Sequence, residues 1–115
     1  MLLELNKLEN SILERLAKDY PFVRDHIPFL KVESREYTGV GAYVNFGYDN
    51  PDNIELSTRI GISHISTNER IEVNGLKYGL QWEIAITGGK LDFIELVTID
   101  EEWFGPIPDN FNFIK

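Results

Sequence analysis

The apolar positions divide the chain into one helical stretch followed by a succession of strands. Over residues 3–19, Leu5, Leu8, Ile12, Leu13 and Leu16 recur at helical spacing and form a single stripe. Asn6 and Glu9 have the spacing of a capping box, which starts the regular helix near Asn6. Glu14 and Lys18 make an i,i+4 pair on the polar side, and Pro21 disfavours helix at Tyr20. Pro21 to Pro28 reads as a packed connector bounded by prolines. The period then changes to two. Residues 29–37 predict a strand with Leu30 and Val32 on one face and Lys31, Glu33 and Arg35 on the other. Thr38-Gly39 turns the chain, and Val40, Ala42, Val44 and Phe46 mark a second strand.

Tyr48 to Asn53 is a loop by composition. Leu56–Ser66 predicts a third strand with a bulge at Gly61, and Ile71-Glu72-Val73 a short extended piece. The strongest signal lies in Tyr78 to Trp103. Two runs rich in β-branched and aromatic residues, about 80–87 and 90–99, flank Gly88-Gly89, and glycine reaches the positive φ of a tight hairpin without steric cost. In the second run Leu91, Phe93, Val97 and Ile99 share a phase with Glu95, while Ile94, Leu96 and Thr98 share one with Asp92. Large apolar residues on both faces predict a central strand covered on both sides. Pro106 and Pro108 bar a further central strand, and Phe111, Phe113 and Ile114 are placed back against the core.

A helix followed by strands, without crossover helices, predicts an α+β fold. The N-terminal amphipathic helix packs on a mostly antiparallel sheet of four to five strands, because the helix stripe and the apolar strand faces must bury each other. A chain of 115 residues is near the commonest domain size, so residues 1–115 are expected to form a single domain.

Charge narrows the range of partners. The formal net charge is −8, and it is uneven: residues 91–115 carry six acids against Lys115 as their one base. Nucleic-acid affinity comes largely from Lys and Arg, so no nucleic-acid partner is expected, and no anionic membrane. A basic protein fits, since complementary fields speed encounter. The plain alternative is that the acids serve solubility alone. The N-terminus lacks the basic and apolar regions of a signal peptide, and no apolar run reaches the roughly 20 residues that span a bilayer. With no cysteine, these features predict a cytoplasmic protein without thiolate chemistry.

No catalytic motif stands out, and no cofactor or metal is expected. His26 and His64 lack metal-site spacing, no serine lies in a nucleophile elbow, and the glycines form no phosphate loop. Carboxylates are the abundant chemistry. Glu83 faces Glu95 or a neighbour across the hairpin, depending on register. Past the strand end, Asp100, Glu101, Glu102, Trp103 and Phe104 join adjacent acids to two large aromatics, the make-up of a surface that anchors a basic protein. The alternative is a solvated loop whose two aromatics fold back into the core.

Gly75 to Leu80, Gly88 to Glu95 and Asp100-Glu101-Glu102-Trp103 resemble small bacterial proteins of about this length, some of which look like immunity proteins of polymorphic toxin systems. The resemblance spans residues 75–104. It departs at Leu96-Val97-Thr98-Ile99 and Phe104-Gly105-Pro106, and carries over no site residue. It implies a non-enzymatic protein that binds a basic, toxin-like partner. The other expectation is a small-molecule-binding or enzymatic domain of the cystatin-like or nuclear-transport-factor-like kind, with a pocket between helix and sheet. A homodimer through an exposed strand edge is a third.

Overall fold

The computed structural model describes residues 2–49 and 62–115. Helix α1, Lys7–Asp19, starts at the predicted cap. The Asn6 side chain accepts from the Glu9 N–H, and the Glu9 carboxylate accepts from the Asn6 N–H, both at 2.8 Å. The proline-bounded connector is not extended: it forms a short helix α2, Phe22–His26, and a 3₁₀ turn, Ile27–Phe29. Among the described residues seven strands follow: β1 Leu30–Tyr37, β2 Gly41–Tyr48, β3 Ile62–Ile65, β4 Arg70–Val73, β5 Leu80–Thr87, β6 Lys90–Thr98 and β7 Phe111–Ile114.

All seven belong to one antiparallel sheet in the order β1-β2-β6-β5-β4-β7, with β3 also paired to β5. The expected α+β class is therefore present, but four to five strands is an undercount. The tail after Pro108 returns as the edge strand β7, where Phe111 pairs with Val73. Two prolines keep that tail out of the sheet's centre, but an edge strand of four residues needs few ladder donors. The predicted loop at 50–53 and the stretch Leu56–Gly61 lie outside the described residues.

The helix stripe meets one face of the sheet. Leu8, Ile12, Leu13 and Leu16 close on Val44, Ile84, Ile94 and Leu96, all fully buried or nearly so. Two irregularities in register decide which strand residues join them. A shift between Val32 and Ser34 in β1 puts Arg35 opposite Val44, on the helix side and not with Lys31 as a regular alternation implies. A second shift, between Ala85 and Ile86, sets Leu91 on the buried face with Ile94 and Leu96. One inserted residue reverses the phase of everything beyond it.

A buried ion pair in the core depends on the first shift. The Glu9 carboxylate, 1% exposed, takes both Arg35 Nε at 2.7 Å and Nη2 at 2.8 Å. The capping carboxylate thus also ties α1 to β1. A second polar link holds α2. The Leu91 N–H donates to the Tyr48 hydroxyl at 2.8 Å, and the same hydroxyl is hydrogen-bonded to Nδ1 of buried His26, also at 2.8 Å.

β6 is central, as its composition predicts, but among the described residues it is covered on one face only. Phe93, Glu95 and Val97 lie half-buried on the opposite, outer face.

Candidate functional site

β6 ends at Thr98, and its exit is fixed by contacts to two loops. The Thr98 hydroxyl sits between the carbonyls of Val40 and Glu101, and the Trp103 N–H donates to the Gly39 carbonyl at 2.8 Å. Trp103 thereby bridges to the β1–β2 turn at Gly39 and Val40. Gly39 serves this junction: its φ of +89° suits glycine, and a side chain there would crowd the Phe104 ring.

The five residues singled out in the sequence take three different roles. The Glu101 carboxylate turns inward along the surface and accepts the backbone N–H groups of Lys77 (2.8 Å) and Tyr78 (3.0 Å). Those bonds hold its carboxyl below the usual range, since they favour the ionised form. Trp103 folds back half-buried, edge-on to Tyr37 at 6.0 Å between centroids. Phe104 does not fold back. At 71% exposure it is the most exposed of the large apolar residues described. Asp100 and Glu102 stand exposed beside it in sequence.

Sequence reasoning missed the other half of this surface. Tyr37 and Val40 are also exposed, and the β1–β2 turn brings them against the exit loop. A Cβ on Gly105 would collide with the Tyr37 ring, and the Tyr37 hydroxyl accepts the Ile107 N–H at 3.3 Å. The result is an apolar patch of Tyr37, Val40 and Phe104, flanked in sequence by Glu36, Asp100 and Glu102. No Lys or Arg occurs in residues 91–114 or 36–44. The signal for the missing half was weak, because Tyr37 and Val40 alternate like ordinary strand residues.

The outer sheet face carries a second group of titratable residues. Register places Glu83 directly opposite Glu95, and Glu95 directly opposite Tyr43. His64, from β3, meets the Glu83 carboxylate through Nδ1 at 2.8 Å and lies edge-on to Phe93. Hydrogen bonding and charge from Glu95 raise the Tyr43 phenol above its usual range. His26 is spatially separate in role, committed to Tyr48 in the interior. Among the described residues no group of three or more His, Asp or Glu side chains is placed to hold a metal ion.

No helix among the described residues is long and apolar enough to cross a membrane. No family model matches the sequence, and comparison with characterised proteins and with solved structures returned no match.

Proposed function

We propose that this protein is a non-enzymatic binding protein, immunity-like in character, whose β6 exit engages a basic protein partner. The observation that carries this reading is Phe104. It is a large aromatic held out to solvent by a loop whose backbone is pinned on both sides, next to exposed Tyr37 and Val40 and within a stretch free of cations. Exposing such a group costs hydrophobic stabilisation that folding back would recover, and apolar patches with polar rims mark interaction sites. An aromatic anchor inside an acidic rim suits a partner that offers an apolar pocket ringed by Lys and Arg. Glu101 supports the loop from behind and is not part of the contact.

The test is affinity capture from the source cell with the wild-type protein and with an Asp100→Lys, Glu102→Lys, Phe104→Ser variant. Circular dichroism verifies that the variant folds. The wild type retains a protein of basic pI that is released as salt rises, and the variant does not. Retention of the same proteins by the variant refutes the reading, as does an acidic partner.

A further inference from the structure

The sheet has two edges, and the chain treats them differently. At one edge β1 is closed by the N-terminal segment: Leu3 and Val32 exchange two backbone hydrogen bonds, each at 2.7 Å. The register shift between Val32 and Ser34 and the charges of Lys31, Glu33 and Glu36 guard the rest of that strand. Coverage, bulges and charges are the usual means of keeping an edge from pairing with another chain. The other edge, β7, has none of them. Phe111-Asn112-Phe113-Ile114 carries no charge, and its register with β4 is unbroken. Among the described residues it pairs with β4 alone. The backbone groups on its outer side are thus a template for a further strand.

A groove runs along this edge. Phe111 and Phe113 lie opposite buried Val73 and Ile71, so both rings project to the helix side, where they are half-buried. Lys7 Nζ stands 5.9 Å from the centre of the Phe111 ring, and Arg15 Cζ 4.0 Å from that of Phe113, so α1 follows the strand. Between helix and strand opens a groove of about 440 Å³, with Ser11, Arg15 and Lys18 on one wall and Phe111 and Phe113 on the other. Its charges are unevenly compensated. Glu14 is paired with Arg24 at 3.1 Å, and Arg15 with Glu69 at 3.0 Å. Lys7 and Lys18 are exposed and have no ion pair among the described residues. This cationic rim acts locally although the whole chain carries −8, because exposed charges beyond about 8 Å are largely screened at physiological ionic strength.

We propose that this groove takes an extended segment of a second polypeptide as a further strand beside β7, with an apolar side chain against Phe111 and Phe113 and acidic side chains toward Lys7 and Lys18. Strand addition draws its affinity from main-chain hydrogen bonds and its specificity from the alternate side chains that enter the groove. The open β7 edge supplies the first, and the aromatic wall with its lysine rim the second. A second copy of this chain fits less well. Its β7 carries no acid, and two-fold pairing would bring another Lys7 and Lys18 to the same rim. The site shares no residue with the β6 exit, so either reading stands if the other fails.

The probe is a phage-displayed library of random heptapeptides, panned on the immobilised wild-type protein. Selected sequences are made as free peptides and titrated into the isotope-labelled protein, with binding mapped by NMR. Peptides that shift the β7 amide resonances saturably carry Asp or Glu on both sides of an apolar residue, and they slow amide exchange in β7. N-methylation of every second peptide nitrogen abolishes binding in one phase and spares it in the other, since one edge of the peptide faces β7. Lys7→Glu with Lys18→Glu, which circular dichroism shows to be folded, weakens binding at least about fivefold, the worth of one exposed ion pair at its upper range. The proposal is overturned if no selected peptide shifts β7, if those that do are basic or neutral, if N-methylation in either phase is without effect, or if the double variant binds unchanged. It is also overturned if the free protein is a dimer whose dissociation on dilution shifts the β7 amides, since a second copy then holds the edge.

Discussion

Replacing Arg35 with Met tests the link between helix and sheet. Met keeps much of the side chain's length and apolar stem but removes the guanidinium. Glu9 would then remain as a carboxylate 1% exposed, with the Asn6 N–H as its one remaining partner and both Arg35 bonds, at 2.7 and 2.8 Å, gone. Breaking a buried pair from one side costs about 3–5 kcal/mol, because the remaining charge is left uncompensated. The Arg35 side chain is itself 22% exposed, so water can reach part of the site and the lower end of that range applies. A domain of this kind has about 5–15 kcal/mol in total, so Arg35→Met still folds but loses a large share of its margin. With a urea m-value of about 1–3 kcal/mol/M, a loss of about 3 kcal/mol lowers the midpoint by roughly 1–3 M. Urea titration followed by circular dichroism measures this directly. Adding Glu9→Gln to Arg35→Met removes the orphaned charge while an amide oxygen still accepts the Asn6 N–H. The double variant should therefore be more stable than the sum of the single effects predicts, by at least about 1 kcal/mol. Strict additivity, or a loss below about 1 kcal/mol for Arg35→Met, would show that Glu9 is not the buried hub described here.

Other outcomes follow from the same structure. His26 is 2% exposed, and burial holds its pKa below the ordinary 6.5 against the opposing influence of Asp25. The unfolded chain therefore takes up that proton first. The stability due to His26 is intact above pH 6.5 and is lost as pH falls through the lower folded value. Urea midpoints compared between pH 7.5 and 5.5 should show a larger acid loss for the wild type than for His26→Gln, and equal losses would exclude this link. Gly41→Ala places a Cβ against the Leu96 carbonyl in the first pair of the β2–β6 ladder, where neither backbone can yield cheaply. A loss of at least about 2 kcal/mol is expected in thermal or urea unfolding, at the upper end of ordinary overpacking costs. Glu101→Ala should speed amide exchange at Lys77 and Tyr78, the two N–H groups its carboxylate accepts. In the wild type the same protection is present above pH 4.5 and fades as pH falls through the lowered Glu101 pKa.

Local chemistry determined the elements. The helix stripe, the Asn6–Glu9 cap and the Gly88-Gly89 hairpin were legible because each depends on residues within a few positions of one another. The same holds for the acidic, aromatic exit of β6. Register was not legible. The shifts at Val32/Ser34 and Ala85/Ile86 are set by how neighbouring strands meet, and they moved Arg35 and Leu91 onto the helix side. An apolar residue in either phase satisfies a period-two pattern, so Phe93 and Val97 suggested a covered face that the described structure leaves half open. The strand count was short because β7 pairs with β4, distant in sequence, and a four-residue edge strand carries little signal of its own. The functional surfaces divide in the same way. The sequence alone supplied Asp100 to Phe104, but only the β1–β2 turn folding beside them added Tyr37 and Val40 and left Phe104 in solvent while Glu101 and Trp103 turned to support the loop. The opposition of Glu83 and Glu95 on the outer face likewise belongs to the pairing of strands, since cross-strand neighbours are chosen by register and not by sequence distance.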